Sequence, residues 1–206
     1  MLFASIILLL ILSFDGEVSR WEGVTLLIAF GIFALARYSE YKQGLWERLE
    51  HLLDLARPNR SPFSLVLWFI ILVTGAYFTV KGLTTISEIK GVNPGYLAST
   101  VVALAVSAPE IIFAYRSTKK GNGDAALNVL ISSTIVNSTL VMAIPALIKP
   151  LDVLNDTVTI GNVFLLVAIL LFSLSMLQKK WSSHEGAFLV LLYLIYLIQF
   201  LNPLFS

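Results

Sequence analysis

Several oxygen-bearing groups lie together in one apolar stretch of the sequence, and they are of the kind that bind hard cations. Glu110 directly follows Pro109, and Ser107 lies three residues before the glutamate. Residues three apart share a helix face, so the carboxylate and the hydroxyl lie on one side. Pro109 has no N–H, so it is expected to open the helix and free the carbonyl of Ala105. Such a set of ligands suits Na⁺ or Ca²⁺ rather than zinc or copper.

Glu110 is unusual in its position along the chain. Of the 13 acidic residues, it alone lies inside an apolar segment, and the others lie in loops or at helix ends. Ionisable side chains at membrane depth are rare and indicate function by default. The alternative is a structural glutamate, kept protonated and hydrogen-bonded to a neighbouring helix. The polar groups around it favour the functional interpretation.

The next apolar segment carries a second polar face. Ser133 and Asn137 are four residues apart, and Ser132, Thr134 and Ser138 flank them. Ordinary hydrogen bonding between helices, worth about 0.6 kcal/mol on average, would also explain such residues. That explanation is preferred for Ser132 and Ser138, whereas Ser133 and Asn137 are the better candidates for cation ligands.

The elements that must position these residues are membrane helices. Hydrophobic residues make up 57% of the chain and charged residues 13%, whereas soluble domains have about 25% charged residues. Backbone groups in lipid must be satisfied internally, so the spans are helical. The sequence predicts an all-α integral membrane protein with about seven transmembrane helices, near 2–14, 21–37, 63–83, 95–115, 125–147, 157–177 and 186–203. The first segment is shorter than the roughly 20 residues that a span takes.

The charges predict an orientation and exclude some classes of protein. Ten basic residues lie in or beside the stretches 38–62, 116–124 and 178–185, against three on the other side. The positive-inside rule therefore places these stretches in the cytoplasm, with the cell (inner) membrane as the expected location. Within 38–62 the sequence predicts a helix in the membrane interface. A net charge of +1 suggests no nucleic acid partner, and the absence of cysteine excludes thiolate sites.

Two distant segments echo each other. "RWEGVTLLIAF" begins at Arg20 and "SHEGAFLVLLY" at Ser183, and both place Glu-Gly at the head of an apolar helix. Five helix starts separate them, and an odd number inverts the second copy in the membrane. Inverted repeats are typical of transporters.

At the residues around Glu110 the chain resembles the cation/calcium exchanger superfamily, the sodium/calcium exchangers and their relatives. "AVSAPE" from Ala105 corresponds to the family's "G-T-S-x-P-E" helix, and "DAALNVLISSTIVN" from Asp124 to its "D-x-A-x-G-N-x-x-G-S-N" run. The matching positions are Ser107, Pro109, Glu110, Asp124 and Ser133, and Asn137 falls where the family has an Asp or Asn ligand. The departures, several of them at family glycines, are Ala105, Val106, Asn128, Val129, Ser132 and Thr134.

The resemblance implies a fold of ten helices in two inverted halves, of which this chain holds a part. Residues 1–37 would be the last two helices of the first half, 38–62 a cytoplasmic linker, and 63–206 the second half with its alpha repeat at about 95–147. The chain would begin inside a helix and lack the first alpha repeat. The implied metal site comprises Glu110, Asn137, Ser133, Ser107, Ala103 and Val106, the last through its carbonyl.

The resemblance implies a cation/calcium antiporter half that exchanges Ca²⁺ against Na⁺ or H⁺ by alternating access. It needs no cofactor besides these transported ions. A single carboxylate does not neutralise Ca²⁺, so a first-repeat subunit or a second copy of the chain is the expected partner. The alternative is a non-transporting, degenerate exchanger-like subunit with an assembly or regulatory role. An intramembrane hydrolase is disfavoured because no apolar segment holds a histidine.

Overall fold

A computed structural model describes residues 1–41, 62–153, 156–177 and 183–205. These residues form seven helices: α1 (Leu2–Leu12), α2 (Arg20–Tyr41), α3 (Pro62–Lys90), α4 (Pro94–Lys119), α5 (Gly123–Ile148), α6 (Asp156–Leu177) and α7 (Ser183–Phe205). The predicted all-α membrane fold with seven helices is confirmed. The predicted interfacial helix lies almost entirely outside the described residues.

Five of the helices are long and apolar enough to cross a membrane. Their apolar parts are Arg20–Tyr38, Val66–Lys90, Pro94–Lys119, Gly123–Ile148 and Val158–Ser175. The apolar helices Leu2–Leu12 and His184–Phe200 are shorter. The first of these was expected to be short, since the sequence turns polar at Asp15.

The chain divides into two compact units. One unit comprises Met1–Gly31 and Gly95–Ser206, and the other comprises Ile32–Pro94, with α3 as its main element. The predicted assignment of 1–37 and 63–206 to two half-repeats is a different kind of division, based on repeat symmetry, and it stays a prediction. All the candidate site residues lie in the first unit.

The core of the first unit lies where α1 and α2 pack on α5. Val18, Leu26, Ala143 and Ala146 are fully buried there, and leucines of α1 pack against them. A Cβ added at Gly23 would lie 3.1 Å from the Cβ of Ala146. Small residues therefore let α2 and α5 approach closely, as at many membrane helix interfaces.

A short antiparallel ladder joins two turns of this unit. β1 (Glu17–Val18) pairs with β2 (Leu151–Asp152), and Val18 lies opposite Leu151. Gly16, at a φ of 92°, bends the chain into β1, and its carbonyl accepts a hydrogen bond from the N–H of Val153. The ladder holds the α1–α2 and α5–α6 turns at the same end of the unit. This agrees with the positive-inside pattern, which puts both turns on one side of the membrane.

Candidate functional site

The site is built on the hairpin of α4 and α5. The turn between them contains Gly121, whose φ of 75° suits glycine. Asn122 then caps α5, since its side chain accepts a hydrogen bond from the N–H of Ala125 at 3.2 Å. The two helices pack against each other more extensively than any other described pair. The polar groups predicted on consecutive segments are thereby brought onto facing helices.

Glu110 and Ser133 meet between these helices. The hydroxyl of Ser133 donates a hydrogen bond to Oε1 of Glu110 at 3.1 Å. The other carboxyl oxygen, Oε2, is buried and has no hydrogen-bond partner among the described residues. A buried oxygen without a partner is costly, because it has lost water and gained nothing in return. Such an oxygen can be satisfied by a proton, a cation or a donor from another molecule.

The remaining predicted ligands do not join this pair. The hydroxyl of Ser107 donates to the carbonyl of Ala103 at 2.9 Å, along its own helix and in an exposed position. Val106 is 62% exposed, and Asn137 is also exposed. Within the described parts of the chain, no hydrogen bond links Glu110 to any of these residues. Their role as ligands stays a prediction.

The expected opening of the helix at Pro109 is wrong, whereas the expected loss of one backbone hydrogen bond is unaffected. α-Helical geometry runs without interruption from Ala103 to Lys119, with the proline inside it. The proline removes one hydrogen bond, but it lies on an exposed face and the turns on either side continue the helix. Prolines of this kind are tolerated in membrane helices.

The helices depart from α geometry elsewhere, at two π-helical segments that the sequence analysis missed. One is Ala98–Val102 in α4 and the other is Asn137–Val141 in α5. Short π segments occur frequently at functional sites. The second begins at Asn137, one of the predicted ligands.

The two π segments share a pattern of side-chain hydrogen bonds. In α4, the hydroxyls of Ser99 and Thr100 both donate to the carbonyl of Tyr96, at 3.2 and 2.6 Å. In α5, the hydroxyls of Ser138 and Thr139 donate to the carbonyl of Ile135 at the same two distances, 3.2 and 2.6 Å. The sequence did not mark these segments, because Ser-Thr pairs also occur in the α-helical parts of both helices, at Ser117-Thr118 and at Ser133-Thr134.

The described residues supply one carboxylate to this place. They contain no group of three or more histidine, cysteine or acidic side chains that could hold a metal ion. The pair of Glu110 and Ser133 therefore offers one negative charge and a hydroxyl. Ca²⁺ takes about 6–8 oxygen ligands, so these two groups fit part of a site.

The chain matches known proteins over most of its length. A family model described as "Sodium/calcium exchanger protein" matches residues 60–202. The sodium/calcium exchanger MaX1 of Methanosarcina acetivorans is 29% identical over 140 residues, which cover 66% of this chain and 39% of that protein. Inner membrane protein YrbG of Escherichia coli is 29% identical over 146 residues, which cover 66% of this chain and 45% of that protein. Sodium/potassium/calcium exchanger 1 of Gallus gallus is 23% identical over 166 residues, which cover 75% of this chain and 25% of that protein.

The matches cover a smaller share of the relatives than of this chain. The chain spans less than half the length of these curated relatives. No solved structure gives a significant match. The family model nevertheless covers well over half of this chain, including α4 and α5 with the pair of Glu110 and Ser133. The chain therefore belongs to the sodium/calcium exchanger family, a family of transporters rather than enzymes.

Proposed function

We propose that this chain is half of a cation/calcium antiporter, which exchanges Ca²⁺ against Na⁺ or H⁺ by alternating access. The observation that carries the proposal is the buried Oε2 of Glu110, which lacks a partner where α4 and α5 meet. The neighbouring hydroxyl of Ser133 holds Oε1 in place and adds an oxygen that can itself bind a cation. A carboxylate and a hydroxyl oxygen held side by side are the kind of ligands that a hard cation prefers.

The antiporter is proposed to need a second chain. One carboxylate leaves Ca²⁺ with an uncompensated charge, and in a low-dielectric site this charge is costly. The remaining ligands are proposed to come from a partner that carries the first alpha repeat, or from a second copy of this chain. No cofactor is involved beyond the transported ions.

The proposed location is the cell (inner) membrane, with the α4–α5 turn in the cytoplasm. The basic residues near that turn, and the name of the relative YrbG, support this placement. Single cysteines introduced by Asn122→Cys and Asp15→Cys lie in turns at opposite ends of the first unit. An impermeant thiol reagent should label only the Asp15→Cys variant in intact cells. Equal labelling of both variants would contradict the orientation.

A non-transporting subunit is the second candidate, and one observation favours it. The α-helix continues through Pro109, and the hydroxyl of Ser107 is bonded within its own helix. A site-bearing helix that is closed in this way offers fewer free oxygens to an ion. Flux measurements separate the two candidates, since a degenerate subunit would move no calcium even when assembled.

The decisive experiment measures calcium uptake, driven by a sodium or a proton gradient, into vesicles that contain the chain with and without a first-repeat partner. Uptake is expected only from the assembled pair. Glu110→Gln keeps the shape of the side chain but removes the charge. It should reduce calcium binding by at least about 100-fold, because loss of one buried charge from its pair costs roughly 3–5 kcal/mol.

A matched control separates the loss of the Glu110 charge from the loss of a negative charge elsewhere in the chain. Glu88→Gln makes the same change at an exposed acid near the end of α3, and it should leave uptake unchanged. Normal binding by Glu110→Gln would show that Glu110 is a structural group and would overturn the proposed function. A monomeric chain that transports calcium in liposomes by itself would instead refute the need for a partner.

A further inference from the structure

The π segment of α4 leaves one backbone carbonyl without the N–H group that would bond to it in an α-helix. In α geometry, the N–H of Ala103 would bond to the carbonyl of Ser99, four residues earlier. Here it bonds to the carbonyl of Ala98 instead, which is the five-residue spacing of a π-helix. The carbonyl of Ser99 accepts a hydrogen bond from the hydroxyl of Tyr196 at 3.1 Å. A side chain of α7 therefore binds the backbone of α4 where its geometry changes.

Three aromatic rings hold the ring of Tyr196. It lies 4.5 Å from the ring of Phe200, 5.4 Å from that of Phe164 on α6, and 6.1 Å from that of Tyr193. Phe200 is only 1% exposed, and its ring in turn meets Tyr96 at the start of α4, at 5.7 Å. Because these contacts restrict the ring, the hydroxyl is aimed at one place with little loss of freedom on bonding.

The other π segment shows which part of this arrangement is specific. Asn137–Val141 has the same serine and threonine bonds to a preceding carbonyl, but it packs against α1. Among the described residues, no hydrogen bond from a tyrosine reaches it. The hydroxyl bonds thus accompany both π segments, whereas the bond from Tyr196 is a feature of α4.

We propose that Tyr196 is a positioning residue for Glu110 and acts through the π segment of α4. A π segment adds one residue to the turn. Its conversion to α geometry would rotate the rest of α4 by roughly 100° relative to its start and shift it by about 1.5 Å. Glu110 lies after the segment and the aromatic contact of Tyr96 lies before it. The bond from Tyr196 therefore selects the register in which Glu110 faces Ser133.

The physical cause is the need to satisfy one carbonyl. In the π geometry the carbonyl of Ser99 lacks the N–H of Ala103, and the hydroxyl of Tyr196 satisfies it instead. Without that hydroxyl the carbonyl would regain a donor if α4 became α-helical at this point, so loss of the hydroxyl favours α geometry. The π register is favoured as long as the hydroxyl is present. The orientation of Glu110 follows from this register, but the register itself does not depend on the proposed function.

Cross-linking measures the register directly, because the chain contains no native cysteine. Glu110→Cys and Ser133→Cys are combined, and the pair is reacted in membranes with a short bifunctional methanethiosulfonate reagent. The rate is then compared in three backgrounds: native, Tyr196→Phe and Tyr193→Phe. Tyr196→Phe removes the bonding hydroxyl and keeps the ring, and should slow cross-linking by about fivefold or more. Tyr193→Phe makes the same change on the adjacent stacked ring and should leave the rate within about twofold.

Each other result contradicts the proposal. An unchanged rate with Tyr196→Phe would show that the hydroxyl does not set the register. Equal slowing by both substitutions would indicate an effect of general aromatic packing. If the two cysteines do not cross-link even when both tyrosines are present, Glu110 and Ser133 are not adjacent. All rates are measured well below the melting temperature of each variant, so loss of stability does not alter them. Because no transport is measured, failure here is distinct from failure of the antiporter proposal.

Discussion

α4 and α5 form one hairpin and contain similar π segments, yet their surroundings differ. Six residues of α5 are buried: Ala126, Ile135, Ser138, Thr139, Ala143 and Ala146. In α4, the one buried residue is Thr100. The chain thus encloses α5 with α1, α2 and α4, whereas α4 keeps exposed faces beside the glutamate. We infer that α5 mainly provides the framework and that α4 provides the charge.

The difference predicts unequal losses of stability from the same substitution on the two helices. Ala143→Leu places three extra carbon atoms where Val18 and Leu26 already fill the space. It should lower the free energy of unfolding by about 1–3 kcal/mol, as overpacking usually does. Ala103→Leu, on an exposed face of α4, should change it by less than about 0.5 kcal/mol. Thermal unfolding in mild detergent measures both, and equal melting temperatures would show that α5 is no more enclosed than α4.

A second prediction tests the contact between the helices. Ser133→Ala removes the hydrogen bond to Oε1 of Glu110, which fixes the carboxylate and supplies a hydroxyl oxygen. A hydrogen bond to a charged group is worth about 1.5–3 kcal/mol, so calcium affinity should fall by roughly tenfold or more. Ser132→Ala is the matched control, because the neighbouring serine is the one assigned to ordinary packing. Equal losses from both substitutions would mean that the contact with Glu110 has no special role.

Much of this arrangement was predictable from the sequence. Long apolar runs mark membrane helices without ambiguity, and the segment predicted at 125–147 corresponds to Gly123–Ile148. The proximity of Glu110 and Ser133 was expected from polar faces on consecutive helices. The β1–β2 ladder was not expected, because strands of two residues leave no periodic pattern in the sequence. The π segments were also missed, because the Ser-Thr pairs within them also occur in α-helical parts of the same helices. The contact of Tyr196 with Ser99 joins residues 97 apart along the chain, which no local pattern reveals.

The smallest predicted effect concerns Asn137. It would be a neutral ligand on α5, whereas α4 offers a carboxylate. Asn137 is exposed at the start of the π segment of α5, and its side chain is neutral. A water molecule can replace such an oxygen at little cost, so Asn137→Ala should weaken calcium binding by only about threefold. Calorimetry should therefore rank the losses with Glu110→Gln first, Ser133→Ala second and Asn137→Ala third. If Asn137→Ala abolishes binding instead, α5 supplies an essential ligand from its π segment, and the division into a framework helix and a charged helix is wrong.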